Sequence, residues 1–111
     1  MSRDPAATSY LLVETRFDGT AERFLADAAT LVHTGGRVRL FLAADAVALG
    51  IRGASAELRE FLDAGGRVWI DEFTLDHRTL RAAPLEAGVT SAGMADVARL
   101  LLESGTRVVW H

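Results

Sequence analysis

The chain has 111 residues, of which 50% are hydrophobic and 24% charged, and its formal net charge at pH 7 is -3. One globular domain accounts for this length, and such a domain can bury a core without covalent staples. Because the chain has no cysteine, the sequence excludes disulfides, thiolate nucleophiles, cysteine-ligated zinc and a persulfide on the chain's own sulfur.

The basic residues narrow the function classes further. All 12 are arginine, so there is no lysine for a Schiff base or a phosphate-binding P-loop. The arginines are scattered along the chain, so no basic stripe predicts a nucleic-acid partner.

No apolar run approaches the roughly 20 residues that cross a membrane, and the polar start lacks a signal-peptide core. We therefore expect a cytoplasmic protein with no membrane partner, in which residues 1–8 form a disordered tail and 9–111 form one domain.

The predicted strands are short apolar runs rich in β-branched and aromatic residues, at Tyr10–Glu14, Arg37–Leu42, Arg67–Ile70 and Arg107–Trp110. A further short strand is expected near Val89. Near-continuous apolar runs are typical of parallel strands covered on both faces.

The first predicted helix covers Thr20–His33, with apolar residues at helical spacing on one face. Ser55 is expected to cap a second helix, and a short helix is expected around Phe73–Arg81. Ser91 is expected to cap the last helix. The buried stripe of that helix would consist of Met94, Val97, Ala98 and Leu101.

A five-residue motif is repeated three times between predicted helices and strands. Thr34–Val38, Ala64–Val68 and Ser104–Val108 each read as a small residue, glycine, a small residue, arginine and valine. Glycine just past a helix often adopts the left-handed conformation that closes it, and valine favours a following strand. The repeated motif therefore predicts three helix-to-strand junctions.

Alternating strands and helices predict an α/β fold. We expect a three-layer sandwich with a mostly parallel sheet of about five strands and helices on both faces. In such sheets ligands bind outside the carboxyl ends of the strands. Here those ends lead into residues 15–20, 43–45 and 71–74.

At this point the sequence resembles the DsrE family, which includes the TusD-type subunits of bacterial sulfur-relay complexes. Over nearly the whole chain, LLVETRFDGTAERFLADAATLVHTGG, RVRLFLAADAV, GGRVWIDEFTLDHRTL and GVTSAGMADVARLLLESGTRVVW follow the order and spacing of the family's motifs. The resemblance implies a DsrE-like fold and assembly into trimers or stacked hexamers, with sister DsrE-like subunits as further partners.

The family's chemistry uses a cysteine at the end of the third strand, which carries a persulfide. Aligned on that strand and on Arg78, this position is Asp71, and a carboxylate cannot hold a sulfane sulfur. Related complexes also contain subunits without the reactive cysteine. The resemblance therefore implies the fold and the assembly but not the family's best-known reaction.

Several side chains are candidates for a site at the carboxyl ends of the strands. Asp71 and His77 are candidate catalytic residues for general acid–base chemistry, although aspartate is a common helix cap and Asp71 could instead cap the following helix. The candidate ligand-binding residues are Arg16, Asp18, Asp45, Glu72 and Arg78, with the arginines as forks for an anion. No spacing matches a metal motif, and no cofactor is expected.

The remaining histidines and the tryptophans favour structural roles. His33 falls in the last turn of the first helix, where it meets the negative end of the helix dipole. His111 is expected to fray, with no partner that the sequence identifies. Trp69 and Trp110 are interpreted as core or subunit-interface residues.

Three functions are compatible with these observations. The first is a cysteine-free, DsrE-like oligomer that binds a small ligand or a partner protein, with a structural place in a heteromeric sulfur-relay complex as a variant. The second is an enzyme that uses Asp71 and His77, with Arg16 or Arg78 holding an anionic substrate. The third is a purely structural module. Convergence of these side chains on one pocket would favour the second.

Overall fold

Five parallel strands form the sheet of the computed structural model, which describes residues 8–103 and 105–111. The strands are β1 (Ser9–Glu14), β2 (Arg37–Leu42), β3 (Arg67–Asp71), β4 (Val89–Ala92) and β5 (Thr106–Trp110). The helices are α1 (Gly19–His33), α2 (Ala56–Asp63), α3 (Glu72–His77) and α4 (Met94–Leu101), with a 3-10 segment at Ala44–Gly50. The strand order is β4-β3-β2-β1-β5.

The sheet separates two apolar layers, as the period-2 alternation of a strand requires. Leu12, Leu40 and Ile70 pack with α1, α2 and the 3-10 segment in the larger layer. Leu11, Val13, Phe41 and Val97 form the smaller layer under α4. The predicted α/β architecture, with helices on both faces, is therefore confirmed.

The repeated motif lies at helix-to-strand junctions, as predicted. Gly35, Gly65 and Gly105 have φ values of 97°, 108° and 84°, which side chains rarely adopt. At two junctions the next glycine is tightly packed. A Cβ at Gly66 would lie 2.3 Å from Phe61 Cζ, and one at Gly36 would lie 3.0 Å from the Leu31 carbonyl oxygen.

The predictions for the last helix were partly wrong. Ser91 lies within β4, and the N-cap of α4 is Gly93, whose N–H donates to Asp96 Oδ2 at 3.0 Å. Val97 is buried as predicted, whereas Met94, Ala98 and Leu101 are exposed. Among the described residues, the buried layer beneath α4 consists of Leu11, Val13 and Phe41 packed with Val97, so only the centre of the apolar stripe is covered.

Two further boundaries differ from the prediction. The short helix expected to reach Arg81 ends at His77, and Thr79 follows in a left-handed conformation with φ 54°. The 3-10 segment was not predicted. Of the predicted tail, residues 1–7 lie outside the described residues, and the Thr8 carbonyl accepts a hydrogen bond from the Arg37 N–H at 3.0 Å. No helix in the described part of the chain is long and apolar enough to cross a membrane.

Candidate functional site at the carboxyl edge of the sheet

The strand order locates a preferred site between β1 and β5. β1 leads into α1 on one face of the sheet, whereas β5 is reached through α4 on the opposite face, and these two strands are neighbours. The connections of adjacent strands thus lie on opposite faces. In open α/β sheets the crevice at such a switch in strand order, outside the carboxyl ends, is the usual ligand site.

A buried carboxylate and an imidazole meet at this switch point. Glu14, the last residue of β1, is 0% exposed, and His111 follows β5. His111 Nδ1 lies 2.7 Å from Glu14 Oε1 and 3.0 Å from Glu14 Oε2. Because a carboxylate accepts hydrogen bonds, Nδ1 carries the proton, and Nε2 of a neutral ring then holds the lone pair.

Backbone contacts fix both members of the pair. The N–H groups of Thr15 and Arg16 donate to Glu14 Oε2 at 2.8 and 2.9 Å. The His111 N–H donates to the Val13 carbonyl at 2.8 Å, and its ring stacks on Phe24 of α1 at 4.9 Å. His111 is therefore ordered by β1 and α1, and the expectation that it would fray was wrong.

Asp71 takes the capping role that was one of its two sequence interpretations. It is 9% exposed and is the N-cap of α3. Its Oδ1 accepts from the Phe73 N–H at 3.2 Å, and its Oδ2 accepts from the Thr74 hydroxyl at 2.5 Å. Both carboxylate oxygens are thus engaged within the turn that starts the helix.

The structure does not bring the predicted pair of Asp71 and His77 together. His77 is exposed at the far end of α3, where its ring stacks on Phe73 with a centroid distance of 5.8 Å. No hydrogen bond joins it to Asp71 in the described residues. Asp71 also lies apart from Glu14. The register pairs Glu14 with Leu42 and Leu42 with Ile70, so the side chains of Glu14 and Ile70 lie on the same face of the sheet. Asp71 follows Ile70 and therefore points to the opposite face.

The predicted ligand-binding residues fall in different environments. Asp18 caps α1, and the Thr20 hydroxyl, followed by the Ala21 N–H, lowers the pKa of its carboxyl. Arg78 Nη1 lies 2.7 Å from Asp45 Oδ1, so these two candidates pair with each other. The exposed Arg16 flanks Glu14, and Glu72 is half-buried beside Gly93.

A shallow cavity of about 270 Å³ opens beside the start of α1. Asp18, Glu22 and Ser55 supply its polar wall, and Phe17, which is 54% exposed, supplies apolar surface. Of the predicted ligand-binding residues, Asp18 alone lines this cavity. No group of three or more acidic or histidine side chains in residues 8–103 and 105–111 is arranged to hold a metal ion.

Sequence reasoning missed Glu14 and His111 as a pair. The signal was available in part, since Glu14 is a carboxylate at the end of an otherwise apolar strand. Placing β5 beside β1, rather than beside β4, requires the strand order, which the sequence pattern does not specify.

Comparisons with known proteins bear on the fold. No protein-family model and no curated protein matches the sequence. The structure is similar to the ychN protein from E. coli, with a TM-score of 0.81, 22% identity, and coverage of 95% of this chain and 99% of that one. It is also similar to MTH1491, a protein of unknown function from Methanobacterium thermoautotrophicum, with a TM-score of 0.77, 14% identity and the same coverage. These likenesses show that the chain has a DsrE-like α/β fold.

Proposed function

We propose that this protein is a cysteine-free subunit of DsrE-like fold that assembles with copies of itself, binds a small ligand or a partner protein, and carries no sulfur of its own. The observation that supports assembly is an exposed apolar surface on α4 and β5. Eight large hydrophobic side chains are exposed in the described residues, and six of them belong to this region: Met94, Leu101, Leu102, Val108, Val109 and Trp110.

Most of these side chains lie on one continuous surface. Asp96 and Glu103 line a cavity with residues of β2 and β3, so the opposite flank of α4, which carries Met94 and Leu101, faces β5. On β5, Val108 and Trp110 are in register with Leu11 and Val13, whose side chains pack under α4. We call the surface formed by Met94, Leu101, Leu102, Val108 and Trp110 the α4–β5 face.

The exposure of the α4–β5 face favours a second copy as its occupant. Trp110 is 69% and Leu102 86% exposed. Monomeric proteins rarely expose contiguous apolar patches above a few hundred Å². Among the described strands β5 also lies at the edge of the sheet, where backbone groups of its outer side have no neighbouring strand. The resemblance to the DsrE family adds that the assembly is a trimer or a stacked hexamer.

Sedimentation equilibrium over a range of protein concentrations tests the assembly. We expect the wild type to sediment as an oligomer and Trp110→Ser combined with Leu102→Ser to shift it toward the monomer. Phe73→Ser is the matched control, because Phe73 is 70% exposed but lies on α3. A strictly monomeric wild type, or equal dissociation by Phe73→Ser, would overturn the proposal. A mixed complex with sister subunits would instead support the heteromeric variant.

General acid–base catalysis is a second candidate function, and the Glu14–His111 contact favours it. Glu14 orients the imidazole as the carboxylate does in hydrolase triads, which leaves Nε2 as the ring atom for proton transfer. Asp71 has both oxygens occupied by its capping contacts, so the contacts favour Glu14 and His111 over Asp71 and His77 as the working pair. The roles predicted for Arg16, Asp18, Asp45, Glu72 and Arg78 in holding a ligand stay a proposal.

Carbethoxylation of the histidines with diethyl pyrocarbonate tests this second candidate. We expect His111 to be modified faster in the wild type than in Glu14→Gln, because the carboxylate makes the imidazole a better nucleophile. His33 and His77 serve as internal controls whose rates should be unchanged by this substitution. An unreactive His111 would exclude it as a base that reaches substrate.

A further inference from the structure

Four arginines converge at the amino edge of the sheet, opposite the site described above. The arginine of the repeated motif is the first residue of β2 and of β3, and parallel strands begin at the same edge of a sheet. A cavity of about 590 Å³ lies between α4 and the first halves of these strands. We call it the amino-edge groove, and its arginines are Arg37, Arg39, Arg67 and Arg99.

The register holds two of these cations side by side. Arg39 of β2 pairs with Arg67 of β3, so both side chains project from the same face of neighbouring strands, about 4.8 Å apart at the backbone. Burial, and then the like charge of Arg67, lowers the pKa of Arg39, while Glu103 acts in the opposite direction. The fold therefore keeps two positive charges close together, one half-buried on Arg39 and one exposed on Arg67.

The described residues leave these cations short of acceptors. The Arg39 guanidinium lies 4.3 Å over the Trp69 ring, which orients it, and its Nε is buried without a hydrogen-bond partner. In the described part of the chain Arg37 and Arg67 form no ion pair, and Arg99 contacts Asp96 at 3.5 Å. Arg37, Arg67 and Arg99 are exposed to solvent, whereas the buried Nε of the half-buried Arg39 lacks an acceptor. A bound anion would supply that acceptor and offset the repulsion between Arg39 and Arg67.

We propose that the amino-edge groove binds the phosphoryl group of a small phosphorylated ligand. Guanidinium forks match phosphate oxygens in bidentate fashion, and the cavity is of the size that holds small molecules. Asp96 and Glu103 line the same cavity and confine its excess positive charge to a small area, which fits a compact anion better than a long polyanion such as a nucleic-acid backbone. The groove and the α4–β5 face lie on opposite flanks of α4, so ligand binding here does not depend on the proposed assembly.

Titration of the purified full chain with pyrophosphate at low ionic strength tests the proposal, with the indole N–H signals in ¹⁵N-edited NMR spectra as the readout. The chain has two tryptophans, so Trp110 on β5 is an internal control for Trp69 in the groove. We expect pyrophosphate to shift the Trp69 signal and leave that of Trp110 unchanged. In Arg67→Ser we expect binding at least about tenfold weaker.

Arg23→Ser is the matched control, since it removes the same charge from an exposed position of α1. We expect it to change the affinity less than about twofold, or less than about 0.4 kcal/mol. Arg39→Lys, which keeps the charge but loses the fork, provides a second variant should Arg67→Ser unfold. Absence of a Trp69 shift, or equal weakening by Arg23→Ser, would overturn the proposal. Binding of an acidic peptide in place of pyrophosphate would overturn it in favour of a protein partner.

Discussion

Glu14 and His111 are 97 residues apart in the sequence, yet His111 Nδ1 lies 2.7 Å from Glu14 Oε1. The contact joins the end of β1 to the residue that follows β5. It lies where the connections of two neighbouring strands run on opposite faces of the sheet. The pair thus has two consequences, one for stability and one for the chemistry available at the carboxyl edge.

Removing the imidazole is expected to destabilise the fold. His111→Phe keeps an aromatic ring for Phe24 to stack on but deletes the donor, so we expect a loss of about 1 kcal/mol in the free energy of unfolding. Glu14→Gln, which alters a fully buried acceptor of two backbone N–H groups, should cost roughly 1–3 kcal/mol. Urea denaturation measures both, and the double variant should lose less than the two single losses added together. Additive losses would show that the contact contributes nothing.

The cap at Asp71 predicts a graded series of variants. Asp71→Ala removes the acceptor for the Phe73 N–H and should lower the free energy of unfolding by about 1 kcal/mol. Asp71→Asn keeps a side-chain oxygen in the same place, so it should cost much less. Thermal or urea unfolding distinguishes the two variants. Equal losses in both would mean that the charge of Asp71, and not its capping contact, is what matters.

Glu86 predicts a defined pH dependence. The Gly53 N–H, at 2.9 Å from Oε1, and Arg59, at 3.0 Å from Oε2, hold the pKa of Glu86 below its ordinary value of 4.5. The unfolded state therefore binds more protons in this range, and the contribution of Glu86 to stability is present above the ordinary pKa and lost as the pH falls through the lower, folded value.

The measurement compares urea unfolding of the wild type and Glu86→Gln between about pH 7 and about pH 3. We expect the wild type to be the more stable at neutral pH and the difference to shrink on acidification. Glu60→Gln is the control, because Glu60 is exposed on α2 and forms no ion pair in the described residues. A difference that stays constant down to the lowest pH would contradict the assignment.

Gly66 predicts a steric effect that Gly19 does not share. A Cβ at Gly66 would lie 2.3 Å from Phe61 Cζ, and Phe61 is fully buried, so Gly66→Ala should cost roughly 1–3 kcal/mol. A Cβ at Gly19 would meet no heavy atom within 4 Å, so Gly19→Ala should be neutral or slightly stabilising at the start of α1. Differential scanning calorimetry of the two variants checks both expectations. Equal melting temperatures would show that Phe61 can move aside.

Local sequence patterns were sufficient for the elements. Apolar runs with β-branched residues placed the four main strands to within one residue of each boundary. Ser55 was correctly expected to cap α2, and the structure shows its hydroxyl oxygen accepting from the Leu58 N–H. These features depend on interactions between residues close in sequence, so local sequence patterns can predict them. Ser91 failed as a cap because pairing of β4 with β3 extended the strand through Ala92.

The sequence by itself determined the parallel α/β fold, the absence of cysteine and the glycine junctions, because composition and local conformational preferences act within a few residues. The tertiary structure alone decided which side chains meet. Strand order brought His111 to Glu14, and strand register turned arginines that look scattered in the sequence into a cationic groove. It also made the buried Asp71 the cap of α3, and it exposed most of the apolar stripe of α4. Such juxtapositions depend on long-range packing, which no local pattern encodes.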